Sequence, residues 1–144
     1  MTTFGAPEIV QSTDERYFLV KDEQGRHCIA YKADNGELCI KSSIYSDLEF
    51  ISKLNIFIVT DFETDSCGLI DTHGEELVPC FFQTVVITKG RIVLVDYNNK
   101  AHDIYIEEGK SVKKVLLRYT KSLRAKDVFM MGKSAGFRDA QKPR

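Results

Sequence analysis

Three segments of this chain read alike, and their even spacing restricts it to folds built from a repeated unit. They are Tyr17-Phe18-Leu19-Val20-Lys21-Asp22, Ile56-Phe57-Ile58-Val59-Thr60-Asp61 and Ile92-Val93-Leu94-Val95-Asp96-Tyr97. Phe18, Phe57 and Val93 hold the same place, 39 and then 36 residues apart. A polar turn and a second apolar stretch follow each: His27-Cys28-Ile29-Ala30-Tyr31, Cys67-Gly68-Leu69-Ile70-Asp71 and His102-Asp103-Ile104-Tyr105. Next come turns ending in Gly36, Gly74 and Gly109. Asn35-Gly36 is a strong hairpin signal, because both residues tolerate the positive φ of a tight turn. Further strand candidates follow at Glu37–Ile40 and Glu75–Val78, and others precede each unit at Glu8–Val10, Leu48–Ile51 and Thr84–Ile87.

The unit is therefore about four short strands joined by tight turns. Ile56–Val59 and Ile92–Val95 are apolar without alternation, which predicts cover on both faces. Stacked repeats would supply it, each giving its neighbour a core it cannot build alone. The expected fold is mainly β: about three four-stranded antiparallel meanders, stacked or forming a partial barrel or propeller-like body, plus a C-terminal amphipathic helix. An ordinary meander with accidental similarity is the alternative.

The middle copy resembles a known family. Cys67-Gly68-Leu69-Ile70-Asp71, Gly74, Leu77-Val78-Pro79 and Phe81-Phe82 are similar to the WG-repeat pattern of Trp-Gly-aromatic-Ile-Asp, Gly, Val-x-Pro and Tyr. The likeness is best over 56–95, and the Trp position holds Cys67, with Cys28 and His102 in the flanking copies. The resemblance implies β-structured repeats and binding surfaces, and brings no general catalytic residues.

Composition fits a globular domain, and nine Phe and six Tyr with only three Pro favour strands. Met1–Pro7 lacks a basic region followed by an apolar core, so it does not read as a signal peptide. No apolar run reaches the roughly 18 residues of a membrane-spanning helix. A cytoplasmic protein with no membrane partner is expected, its four cysteines being buried free thiols.

The net charge of −1 conceals an asymmetry. Residues 1–109 hold 9 Lys/Arg and 19 Asp/Glu, whereas 110–144 hold 11 and 2. In the basic part Val112, Val115, Leu116, Tyr119 and Leu123 recur at helical spacing, opposite Lys110, Lys113, Lys114, Arg118, Lys121 and Arg124. This predicts a basic amphipathic helix over 111–131, packed on a 1–110 β body, and a flexible basic tail over 132–144. The apolar stripe would cap the last repeat. By repeat logic, however, 111–117 could instead be the last strand, with the helix starting near Thr120.

Chemistry-bearing patterns are weak. Cys28, Cys67 and His102 at equivalent repeat positions could converge on zinc, but closely spaced ligand pairs are missing and core filling is the plainer reading. His73 falls in a predicted turn and no serine lies in a nucleophile elbow. Glycines are scattered singly, which argues against a phosphate loop. Neither catalysis nor a cofactor or metal is expected. The preferred reading is a non-catalytic protein–protein interaction module of a larger assembly, or an inhibitory protein, with Tyr31, Tyr45, Phe62 and Phe82 as contact residues. The alternative is a nucleic-acid-associated subunit whose Lys113, Lys114, Arg118, Lys121, Arg124 and Lys126 meet phosphate or an acidic partner.

Overall fold

The computed structural model describes residues 7–122, and the chain divides into two compact units, Met1–Phe81 and Phe82–Arg144. Every sequence-predicted strand is present. The first unit holds β1 (Glu8–Asp14), β2 (Tyr17–Lys21), β3 (His27–Lys32), β4 (Leu38–Ile40), β5 (Tyr45–Ile51), β6 (Ile56–Asp61), β7 (Cys67–Asp71) and most of β8 (Glu76–Phe82). The second holds β9 (Thr84–Thr88), β10 (Arg91–Val95), β11 (Ala101–Tyr105) and helix α1 over 112–122. No helix among the described residues is long and apolar enough to cross a membrane. Leu123, Arg124, Lys126, the end of the expected helix and the expected tail lie outside the described residues.

The larger sheet runs β1-β2-β3-β5-β6-β7-β8, with β4 also on β3, and its strands from β1 to β7 pair antiparallel. Among the described residues its two ends do not pair, so no barrel closes. β3 and β5 share a single residue pair, His27 with Tyr45, and Tyr45 in turn pairs with Asp61 of β6. The chain reaches this joint from β4, and on the way the Ile29 amide donates to the Ser42 hydroxyl at 2.8 Å. A sheet joined at one pair can bend there, and the contacts of Thr13 with Thr72 and Asp14 with His73 bring its two halves face to face. Leu19 and Ile29 from the first half and Phe57, Val59 and Ile70 from the second share one core with Tyr45. On the other face Val20, Cys28 and Ala30 form a smaller cluster, with Phe18 and Leu38 against it. In β2 and β3 the two sets alternate, so both faces of these strands are covered; each fully buried Leu, Ile or Phe contributes about 1.5–3 kcal/mol.

The turns repeat one chemical device. Asp22, Asp71 and Asp96 each accept two backbone N–H groups from the turn that follows, through a single carboxylate oxygen at 2.9–3.0 Å. Asp61 does the same for Glu63 and Thr64. Charge-assisted bonds of this kind hold a tight turn and satisfy amides that no strand can reach. The turns then need a left-handed residue, which Gly25, Gly74 and Asn99 provide at φ 81°, 85° and 63°.

Gly68 is required for space instead. A Cβ there would stand 2.5 Å from the Val78 carbonyl oxygen and 2.8 Å from the Pro79 carbonyl carbon. The obstacle is the β8 backbone, which cannot step aside as a side-chain tip can.

In the second unit β10 lies between β9 and β11. Ile92, Leu94 and Ile104 are buried, while Val93 and Val95 are half-buried. β10 thus alternates more than its uniformly apolar sequence predicts, whereas in β6 three of the four residues Ile56–Val59 are buried. Where a fourth strand was an alternative, α1 forms. Ser111 caps it, accepting the Lys114 amide on its hydroxyl at 3.3 Å and the Val115 amide on its carbonyl at 3.1 Å. Leu116 is fully buried, and Tyr119 meets His102 of β11 edge-on, 6.3 Å between ring centres. Lys113, Lys114, Arg118 and Lys121 are exposed, as the periodicity predicts.

Gly68→Ala should cost about 1–3 kcal/mol in denaturant unfolding, an overpacking penalty. Gly36→Asn should cost less than Gly68→Ala, about 1 kcal/mol, since Gly36 has open space around it and its φ of 89° strains Asn less than other side chains. Leu116→Ala should destabilise by about 2–5 kcal/mol, whereas an α1 that merely rests on the protein would leave unfolding unchanged.

Candidate functional site

The bend at Tyr45 brings together turns that lie far apart in the chain. The Thr13 hydroxyl donates to the Thr72 carbonyl at 2.6 Å, 59 residues away. Beside it the His73 ring nitrogen Nε2 meets the Asp14 carboxylate, and the His73 ring stacks on Tyr17 with centres 4.1 Å apart and planes 13° from parallel. Tyr17 in turn meets Tyr31 edge-on at 5.1 Å. Arg16 and Lys41 each place their charge 5.7 Å from the centre of the Tyr31 ring, and Arg16 is also paired with Asp34.

The result is a continuous surface of three rings, two cations and two carboxylates. Tyr17 and Tyr31 are half-buried and the rest are exposed. The local sequence explains the placement. Tyr17 and Tyr31 are directly opposed on β2 and β3, while His73 rides on a turn pinned by Asp71. The His73 hydrogen bond, followed by the Glu15 amide, holds the Asp14 carboxyl below its ordinary value. Such a surface can bind: rings already in contact lose little freedom when a partner covers them, and cations are drawn to the faces of aromatic rings.

Of the four aromatic contact residues expected from sequence, Tyr31 lies in this cluster. Phe62 is 41% exposed, with the Arg26 guanidinium 5.1 Å above its ring. Arg26 is itself held by Asp22 at 2.7 and 2.8 Å, both being buried. Tyr45 and Phe82 are corrections. At 4% and 3% exposure they are core side chains, and neither offers a ring to a partner. Tyr45 fills the bend and Phe82 packs edge-on to His102. Sequence reasoning missed Tyr17, His73, Asp14, Arg16 and Lys41, because no local signal announces a contact spanning 59 residues.

Cys28, Cys67 and His102 find separate uses. Cys28 belongs to the small apolar cluster, and burial pushes its thiol up to about 12. Burial also raises Cys67, which lies 3.9 Å from the Thr60 hydroxyl, and pushes Cys80 up to about 12. Such thiols hold their protons at neutral pH and are poor nucleophiles. His102 bonds to Asp96 at 3.0 Å between Phe82 and Tyr119. Burial pushes the Asp96 carboxyl up, but His102 and the Lys100 and Asn98 amides more than offset it and leave it lowered. Among the described residues no three His, Cys, Asp or Glu side chains are grouped to hold a metal.

Compared with known protein families, with curated proteins and with solved structures, the chain matches none.

Two groups set the expected pH dependence. At the joint His27 Nδ1 is buried without a hydrogen-bond partner, and burial lowers the ring below its ordinary 6.5. Asp14 is lowered from 3.8. Both folded values lie below the unfolded ones, so the stability each contributes is complete above the unfolded value and lost as pH falls through the folded one. Unfolding measured from pH 7 downward should weaken first below about 6.5 and again below about 4. His27→Gln should flatten the first limb and Asp14→Asn the second.

Proposed function

We propose that this chain is a non-catalytic protein-interaction module that binds its partner through the Tyr17–Tyr31–His73 surface. One observation carries the reading: three hairpin turns converge on rings in mutual contact, His73 exposed and stacked on the half-buried Tyr17, and Tyr17 edge-on to the half-buried Tyr31, flanked by Arg16 and Lys41. Tyr and Arg are the residue types that dominate binding hot spots, and a rigid ring costs less to immobilise than a flexible chain. The thiols raised by burial favour the same non-catalytic reading.

The architecture behind this surface, in our reading, is three copies of a WG-like repeat. Support comes from the aspartate-capped turns at Asp22, Asp61 and Asp96, which follow the central strand of each copy. In the third copy α1 takes the place of the closing strand. The four cysteines are free, Cys28 alone being fully buried while Cys39, expected inside, is exposed, and free thiols fit a cytoplasmic location.

The test is affinity capture from the native cell with the full chain, compared with Lys41→Ala and Tyr31→Ala. Lys41 is exposed, so its replacement should leave the melting curve unchanged. A partner held through this surface should lose about tenfold or more in affinity with Tyr31→Ala, as hot-spot truncations do. Equal capture by both folded variants rejects this surface.

A further inference from the structure

The charge asymmetry follows the division into units. Residues 1–81 carry 6 Lys/Arg and 15 Asp/Glu, net −9, whereas 82–144 carry 14 and 6, net +8. Within the described part of the second unit, α1 concentrates this charge. Residues 112–122 include Lys113, Lys114, Arg118 and Lys121 and no acid. The inward side of the helix is committed: Leu116 and Thr120 are buried and Tyr119 rests on His102. Lys114, Arg118 and Lys121 are therefore held outward as one stripe, at the i, i+4 and i+7 positions. Among the described residues no carboxylate forms an ion pair with these three.

We propose that the outer face of α1 is a contact for the phosphate backbone of a nucleic acid, a function beyond the one proposed for the ring surface. Its make-up selects that partner. A membrane-surface helix must bury an apolar face, and the apolar side of α1 is already buried. On the outer side only Leu117, 37% exposed, is a large apolar residue. A protein interface needs an apolar core ringed by polar groups, which one leucine does not supply. A phosphate backbone needs only charge at helical reach. The stripe spans about 10 Å, over which a duplex presents about six phosphate charges. Such contacts position without reading sequence, so binding is insensitive to base order.

The experiment is fluorescence anisotropy of a labelled 20-base-pair duplex with the full chain, from 50 to 200 mM salt. It is repeated with the triple variant Lys114→Glu, Arg118→Glu, Lys121→Glu. The wild type should bind, with affinity that falls as salt rises and does not change when the duplex sequence is scrambled. In the variant the slope of log K against log salt should be shallower by about 2.7, three cations at about 0.9 each. Should the Glu variant lose its circular dichroism signature, the corresponding triple Gln variant reads out the same slope. Three results would overturn the proposal: no binding at 50 mM salt, an unchanged slope, or tighter binding to a polyglutamate peptide or to phosphatidylserine vesicles than to the duplex.

Discussion

A single residue pair governs the larger unit. Where β3 meets β5 only His27 and Tyr45 are in register, and Tyr45 also pairs with Asp61. A sheet with full ladders on both sides would stay a continuous twisted ribbon. Reduced to one rung, it folds, and the hydrophobic effect decides the direction by closing Leu19 and Ile29 onto Phe57, Val59 and Ile70. The bend has a cost at His27, whose Nδ1 is buried without a partner. The price is small beside a shared core of six side chains.

The folded-back arrangement makes the candidate surface. Asp14 and His73 meet because their turns arrive at the same place once the second half lies over the first. The contact therefore reports on the bend, and the surface exists only while the core behind it is intact. The same closeness explains Gly68: β8 passes so near β7 that a methyl group has no room. Gly68 thus has a local steric reason.

The units divide the chemistry as well as the contacts. The acidic unit carries the ring cluster, where two of its six Lys/Arg side chains, Arg16 and Lys41, stand over Tyr31. The basic unit carries an uninterrupted cationic helix face on a sheet of three strands.

How far the sequence determined this protein follows from the range of each interaction. The eleven strands among the described residues were legible because period and turn chemistry act over a few residues, as where Asn35-Gly36 marks a hairpin. The helical spacing of Val112, Val115, Leu116 and Tyr119 pointed to a helix, but a strand over 111–117 fitted the repeat equally until the structure placed α1 there. The exposed cations of α1 were legible for the same reason. The roles of Tyr45 and Phe82 were not, since a core aromatic and a docking aromatic are the same residue in a sequence and only burial separates them. The partnership of Tyr17, Asp14 and His73 was equally hidden, because it depends on where a 59-residue excursion returns. Local pattern set the elements. The bend at one residue pair, a property of how the halves pack, decided which side chains became core and which became surface.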